Sequence, residues 1–279
     1  MDQVVAEARW LAEHGVKEVL LVSENSTSYG KDLGNIRLLD ELLVRLADVD
    51  GLDLIRVSYL QPAEIRPDLL AVMNRTPKVA PYFDLSFQHA SGTVLRRMRR
   101  FGGSVAFLDL IATIRAADPT AGIRSNVIVG FPGETEADIA ELQSFISAAE
   151  LDAVGVFRYS DEEGTEAEGY AEKLPEDVIE ARYQATQRIA EAAMASRSAR
   201  RVGHTVRVLV EQGGVLPEGE DADDDAPWGR AEHQGPEVDG TCMLITAGPG
   251  SSAREVTMGQ WVRGVVVDSN GPDLVVEVK

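Results

Sequence analysis

The sequence predicts an α/β chain in two parts: a parallel, helix-covered sheet followed by a small all-β barrel. Three observations predict it. Through residue 160, stretches with helical apolar spacing alternate with short β-branched runs. A long segment rich in Ala, Glu and Arg then runs from Leu174 to Arg201, opened by Pro175. From Val202 onward the apolar pattern switches to period two, with Gly, Pro, Asn and Asp between the runs.

Each element follows from local pattern. Val4, Val5, Ala8, Leu11 and Ala12 recur at helical spacing, and His14-Gly15 ends that helix. Val19 to Val22 reads as a first strand, and Leu33 to Leu46 as the next helix. Leu54 to Val57 is a second strand, Pro67 to Met73 a short helix and Tyr82 to Leu85 a third strand. Helices follow at Val94 to Met98 and Val105 to Ala117, then a strand at Ile123 to Val129. Glu136 to Ala149 is a helix and Ala153 to Phe157 a fifth strand. Single helices between strands imply parallel pairing through right-handed crossovers. Beyond the connector, strands are expected at His204 to Val210, Gly240 to Ile245, Gly264 to Asp268 and Asp273 to Val278. Between the first two of these, Glu218 to Asp225 holds six acids in eight residues and reads as a solvated loop.

Composition excludes several functions. The 279 residues carry 27 Lys and Arg against 46 Asp and Glu, a formal charge of −19. Such a surface repels phosphate backbones and favours a basic partner. The only cysteine is Cys242, so no disulfide and no Cys-rich zinc or iron–sulfur site can be made by these residues alone. His14, His89, His204 and His233 show no HExxH or HxH spacing. Neither a signal-peptide pattern at Met1 to Gly15 nor an apolar run of the ~18 residues needed to span a bilayer is present, so a soluble, cytoplasmic protein is expected.

In parallel α/β folds, ligands bind at the carboxyl ends of the strands. Here those ends read Ser23-Glu24-Asn25, Ser58 to Pro62, Ser86 to His89, Gly130 to Glu134 and Arg158 to Ser160. The turn from Gly130 to Thr135 joins a strand to a helix. Its glycines let backbone approach a ligand, and the helix start that follows favours an anionic group. Arg96, Arg97, Arg99 and Arg100 cluster on one short helix after Gln88-His89. GxSxG, P-loop and GxGxxG motifs are all missing, and no lysine or carboxylate pair stands out for sugar or aldol chemistry.

Several of these segments together carry a family resemblance. They are Ser125 to Thr135 (SNVIVGFPGET), Asp84 to Ser91 (DLSFQHAS) with Val94 to Arg100 (VLRRMRR), and Asn25 to Gly30 (NSTSYG). They resemble the radical S-adenosylmethionine methylthiotransferases over nearly the whole chain. Phe157 to Ala167, and Gly229-Arg230 with Gly235 to Gly240, are similar to the branch that modifies ribosomal protein S-12.

The resemblance implies a partial open (βα) barrel of the radical SAM type at 1–173, a connector helix at 174–201 and a TRAM-like β-barrel at 202–279. It implies methylthiolation of the β-carbon of one aspartate of S-12. The family's cofactors are S-adenosyl-L-methionine and 4Fe-4S clusters. Their CxxxCxxC ligands are not among these residues, and Met1 falls inside what resembles the first barrel helix, just past that motif. The expectation is therefore a truncated chain, inactive by itself, with Cys242 a core residue. By resemblance, Gly130, Gly133 and Glu134 approach the adenosyl group through backbone, and Asn25 lies near the methionine amino group. Gln88 and Ser125 bond ribose or carboxylate, and Arg99 pairs with the methionine carboxylate. No residue is assigned as general base or metal ligand.

Two alternatives remain open: a tRNA methylthiotransferase of the same family, or a non-catalytic protein-binding fragment. Residues 202–279 hold five basic and fourteen acidic residues, a net of −9. A tRNA-gripping barrel should be basic, so this charge favours a basic protein substrate, with no stable tRNA binding and no membrane. Specific contacts with that substrate are expected from the ordered barrel and from Gly235 to Gly240, where turns expose backbone.

Overall fold

A computed structural model describes residues 1–218, 226–236, 239–246 and 254–279. Five parallel strands lie side by side in chain order: β1 (Glu18–Leu21), β2 (Leu54–Val57), β3 (Tyr82–Asp84), β4 (Gly122–Val129) and β5 (Ala153–Arg158). Bridges from Ile55 to Val79 and from Leu60 to Leu85 join β2 to the β3 side. Around them run α1 (Asp2–Glu13), α2 (Leu38–Ala47), α3 (Pro67–Arg75), α4 (Gly92–Arg97), α5 (Ser104–Ala117), α6 (Glu136–Ala149) and α7 (Glu176–Ala199).

The side-chain alternation of the strands decides what faces what. Val19, Ile55, Val57, Phe83, Ile123, Val127, Val129, Val154 and Val156 join one core with the helices. Leu43 and Leu46 of α2, and Leu142 and Ile146 of α6, are fully buried there. Each such side chain contributes roughly 1.5–3 kcal/mol on burial. The alternate positions, Glu18, Arg56, Tyr82, Asp84, Arg124 and Asn126, therefore line the other, concave face. One expected helix is shorter than its apolar pattern. Leu33 and Ile36 are exposed, and α2 starts only at Leu38. Gly30 and Gly34, with φ of +85° and +75°, and a hydrogen bond from Arg37 N–H to Asn35 Oδ1, hold that stretch in turns instead.

After α7 comes β6 (Thr205–Gln212), then β7 (Gly214–Val215), β8 (Trp228–Ala231), β9 (Cys242–Ile245), β10 (Glu255–Val256), β11 (Trp261–Asn270) and β12 (Asp273–Val278). Strands β11-β12-β9-β8-β6 close into a barrel, and β7 pairs with β10. Val208, Val210, Cys242, Leu244, Val266 and Val276 fill its core. The sequence pattern missed β8, whose four residues include Gly229 and Arg230. Gly229 is required because a Cβ there would strike the Leu209 carbonyl of the paired strand. Of the acidic run, Glu220 and Asp221 to Asp225 lie outside the described residues, as do Glu237 and Val238. Among the described residues, no helix is long and apolar enough to cross a membrane.

The β-barrel closes the amino-terminal end of the concave face. Arg56 is 1% exposed and pairs with Glu18, while its remaining nitrogens donate to the Glu232 carbonyl at 2.7 Å and the Ala231 carbonyl at 3.2 Å. Arg230 pairs with the same Glu18 at 2.6 Å and with Glu211. Burial opposes ionisation of Glu18, but the hydrogen bonds and charges of Arg230 and Arg56 outweigh it and hold the carboxyl below its usual range. Tyr82 Oη donates to Asp239 at 2.9 Å, and Trp261 Nε1 to Asp53 at 3.2 Å. This narrows the expectation for Gly235 to Gly240 at two of its residues, Gly235 and Asp239. Gly235 is buried with its N–H bonded to Asp239, and a Cβ there would collide with Tyr82. Gly235 and Asp239 dock on the sheet of their own chain because Asp239 gathers donors from both sides.

Candidate functional site

At the opposite, carboxyl-terminal end of the strands lies an open cleft of about 600 Å³. Its floor comes from β4, where Asn126 and Ile128 point to the concave side, and from Phe157 of β5. One wall is Gln88 with the end of α4, and the other is the segment from Tyr159 to Tyr170.

Gln88 reaches the cleft because the third strand breaks and resumes. After β3 ends at Asp84, the Ser125 hydroxyl donates to the Leu85 carbonyl at 2.6 Å and accepts from Phe87 N–H at 3.3 Å. The ladder is re-established when Gln88 N–H bonds the Asn126 carbonyl and Ile128 N–H bonds the Gln88 carbonyl. Gln88 has φ +64°, a left-handed conformation that costs a non-glycine residue of order 1 kcal/mol or more. Tyr59 (φ +56°) and Arg99 (φ +56°), at neighbouring strand or helix ends, share it. Lys78 (φ +65°) and Glu150 (φ +50°) adopt it away from the cleft.

The Gly130 to Thr135 turn is held from behind. Glu134 is fully buried and accepts from Gly130 N–H at 3.1 Å, from Arg182 of α7 at 2.7 Å and from His89 Nε2 at 3.2 Å. His89 Nδ1 accepts from Ser91 N–H, which leaves the proton on Nε2 and makes the ring a donor to Glu134. Thr135 and Asp138 form a capping box that starts α6. Gly130 (φ +80°) packs against Ile179, and Gly133 (φ +78°) against the Arg97 guanidinium. Phe131, between them, enters the cleft edge-on to Tyr159 and Tyr170.

Of the residues singled out from the sequence, Gln88 and Arg99 line the cleft. Gly130, Gly133 and Glu134 form the turn beside it. The Ser125 side chain faces into the strand break, fully buried. Asn25 stands at the end of β1, bonded to Glu64 at 3.0 Å and to Thr27, and is not among the lining residues.

The cleft arginines differ sharply. Arg97 pairs with Glu172 at 2.5 Å, Arg99 with Glu166 at 2.5 Å and Arg158 with Glu180 at 2.5 Å. Arg99 is also 75% exposed on its side chain. Arg100 has no carboxylate partner among the described residues. One of its nitrogens donates to Gln61 Oε1 at 2.8 Å and, more weakly, to the Ser86 carbonyl at 3.3 Å. Desolvation lowers its pKa from the ordinary value. The backbone aims it there. Arg100 N–H returns to the Leu95 carbonyl across the left-handed Arg99, so α4 ends in a Schellman-type turn. Arg100 and Asn126, visible in the sequence only as members of the arginine cluster and of the Ser125 to Thr135 segment, received no role there. Spacing alone does not reveal that, of the four clustered arginines, Arg96 and Arg100 lack a carboxylate partner among the described residues, or that of these two only Arg100 lines the cleft.

Comparison with known proteins gives the lineage. The radical SAM superfamily profile matches residues 1–146, and a TRAM domain profile matches 202–278. The ribosomal protein uS12 methylthiotransferase RimO of Streptomyces avermitilis is 58% identical over 276 residues, covering 99% of this chain and 53% of that protein. RimO of Cutibacterium acnes is 54% identical, covering 98% of this chain and 53% of its own. The chain thus spans about half the length of the curated relatives it matches. Among solved structures, the radical SAM enzyme coproporphyrinogen III oxidase (HemN) from Escherichia coli superposes with TM-score 0.53 at 16% identity, over 72% of this chain and 47% of that one. That likeness speaks to the fold.

Proposed function

The chain belongs to the radical SAM superfamily, and from that premise we propose that it carries the S-adenosylmethionine cleft and TRAM barrel of a uS12 methylthiotransferase. The substrate of this reading is an aspartate of the basic ribosomal protein S-12, modified in the cytoplasm. Residues 1–173 make the partial radical SAM barrel, 174–201 the connector and 202–279 the TRAM barrel. The name of the relatives, shared at more than half identity over nearly the whole chain, supports the substrate.

One observation carries the cofactor assignment: Arg100 is a partly desolvated cation without a counter-charge among the described residues, lining a cleft that also offers Gln88, Asn126 and aromatic walls. An α-amino-acid carboxylate supplies the missing charge. Guanidinium and carboxylate form two parallel charge-assisted hydrogen bonds where geometry allows. On this reading Arg100, not Arg99, holds the methionine carboxylate. Gln88 and Asn126 offer the polar contacts to the amino acid or ribose, and Phe131 with Tyr159 excludes water from one side. S-adenosylmethionine, when bound, would supply a transferable methyl group and an adenosyl group whose radical chemistry needs an electron donor from outside these residues. The residues present do not fit a 4Fe-4S cluster. The only thiol, Cys242, is buried in the TRAM barrel with its pKa pushed up to about 12, chiefly by desolvation.

Calorimetric titration with S-adenosylmethionine and with 5′-methylthioadenosine, which lacks the amino-acid carboxylate, tests the reading. Arg100→Met should weaken the first about tenfold or more, since a hydrogen bond to a charged group is worth about 1.5–3 kcal/mol, and leave the second unchanged. Equal affinity of the wild type and Arg100→Met for S-adenosylmethionine overturns it.

A further inference from the structure

We infer that the β-barrel takes part in shaping the cleft: its Asp239 anchors Arg124, and Arg124 fixes the side-chain amide of Asn126 so that a hydrogen-bond donor faces the ligand. Arg124 is a positioning residue on β4, two residues before Asn126 and on the same concave side. Its three nitrogens go three ways. Nε donates to Asp239 Oδ1 at 2.9 Å, one terminal nitrogen to Asp84 Oδ1 at 3.1 Å and the other to Asn126 Oδ1 at 3.4 Å. A guanidinium is planar and rigid, so anchoring two of its corners aims the third.

Both anchors are themselves held. Asp84 and Asp239 side chains are each 4% exposed. Asp84 Oδ2 accepts from Tyr59 N–H at 3.0 Å, and Asp239 Oδ2 accepts from Tyr82 Oη at 2.9 Å and Gly235 N–H at 3.0 Å. Asp239 belongs to the barrel and Asp84 to the sheet, so the plane of Arg124 is set by the docking of one on the other.

The consequence for Asn126 is chemical. An arginine only donates, so the oxygen of the Asn126 amide must face it and the NH₂ group must face away. The space for this arrangement is kept by Gly155, the partner of Asn126 in the β4–β5 ladder. A Cβ at Gly155 would fall 2.5 Å from Asn126 Oδ1. Asn126 lines the cleft, and no protein acceptor takes its NH₂ among the described residues. The ligand atom opposite it is therefore an acceptor: a carboxylate or ribose oxygen rather than an ammonium. If the amide were free to turn, the same residue would accept an ammonium equally well. The inference rests on the proposed cleft only for the identity of that ligand.

The side-chain amide of Asn126, followed by ¹⁵N–¹H NMR on the full chain and assigned by its loss in Asn126→Asp, provides the test. Arg124→Lys keeps one positive charge for Asp84 and Asp239 but loses the planar fork. It should shift and broaden the Asn126 amide without ligand present. Asp239→Asn should do the same from the other side of the interface. In S-adenosylmethionine titrations each should weaken binding about threefold to tenfold, with no further loss when Asn126→Ala is added, as expected for coupled residues. A purely structural Arg124 lowers the melting temperature but leaves the Asn126 resonance in place and its effect on affinity additive. That result overturns the inference. Should Asp239→Asn not fold, the Arg124→Lys spectrum decides. Failure of wild type to bind S-adenosylmethionine counts against the proposed cleft, whereas an unmoved Asn126 amide counts against this relay.

Discussion

The two ends of the concave sheet carry similar chemistry to opposite effect. At the amino-terminal end Arg56 and Arg230 are buried and Arg124 half-buried, and each meets a carboxylate: Glu18, Glu18 with Glu211, and Asp84 with Asp239. At the carboxyl-terminal end three of the four cleft arginines meet exposed or half-exposed acids, and Arg100 meets none. A buried cation that is fully paired fixes the register of two surfaces; once formed, it is strongly destabilising to break. A partly buried cation held only by neutral groups keeps its charge available for a ligand. Counter-charge, more than residue type, separates the structural end from the binding end.

The largest effect should come from breaking the paired end. Glu18→Gln leaves Arg56 buried beside a neutral partner and Arg230 with Glu211 alone. It should cost about 3–5 kcal/mol in urea denaturation. A loss within experimental error would mean that the barrel docks without these charges. Next in size is Gly130→Ala, which brings a Cβ into Ile179 at φ +80° and should cost about 1–3 kcal/mol. An unchanged midpoint would show that the turn is slack.

His233 gives a smaller effect with a definite pH window. It is fully buried at the domain contact, and desolvation, then the charges of Arg201, Arg56 and Arg197, hold its pKa well below 6.5. The unfolded chain takes up a proton below about 6.5 while the folded chain does not. Stability is therefore full above 6.5 and falls as pH drops toward the folded value, by up to about 1.4 kcal/mol for the first pH unit. His233→Gln should flatten denaturation midpoints between pH 7.5 and 5.5; an equally steep profile in the variant would assign the slope to other groups. The smallest effect is expected at the binding end. Arg100→Met removes an uncompensated cation and should change stability by no more than about 0.5 kcal/mol, in either direction. A loss comparable to that of Glu18→Gln would erase the contrast between the ends.

Most of the fold was legible in the sequence because its signals are periodic. The strand at Leu54–Val57 and the helix at Glu136–Ala149 fall where apolar spacing puts them. The start of α2 misled because Leu33 and Ile36 keep the helical period while lying exposed in turns fixed by glycine and Asn35. Strand β8 was illegible because Trp228-Gly229-Arg230-Ala231 holds no alternation to read. The candidate site was legible only as a set of loops. The turn at Gly130 to Glu134 and the arginines after Gln88 were visible. That Glu134 turns its oxygens to His89, Arg182 and Gly130, or that Arg100 meets no carboxylate among the described residues, depends on residues far apart in the chain. The docking of Gly235 and Asp239 on Tyr82 and Arg124 is a tertiary fact of the same kind.

The most direct measurement is a crystal structure of this chain soaked with S-adenosylmethionine. The account predicts density in the cleft at the carboxyl-terminal end, with the methionine carboxylate on the Arg100 guanidinium, an acceptor atom opposite the Asn126 NH₂, and the Arg124 to Asp239 contact unchanged. Ligand bound elsewhere, or in the cleft with its carboxylate on Arg99 and Arg100 still unpaired, would contradict it.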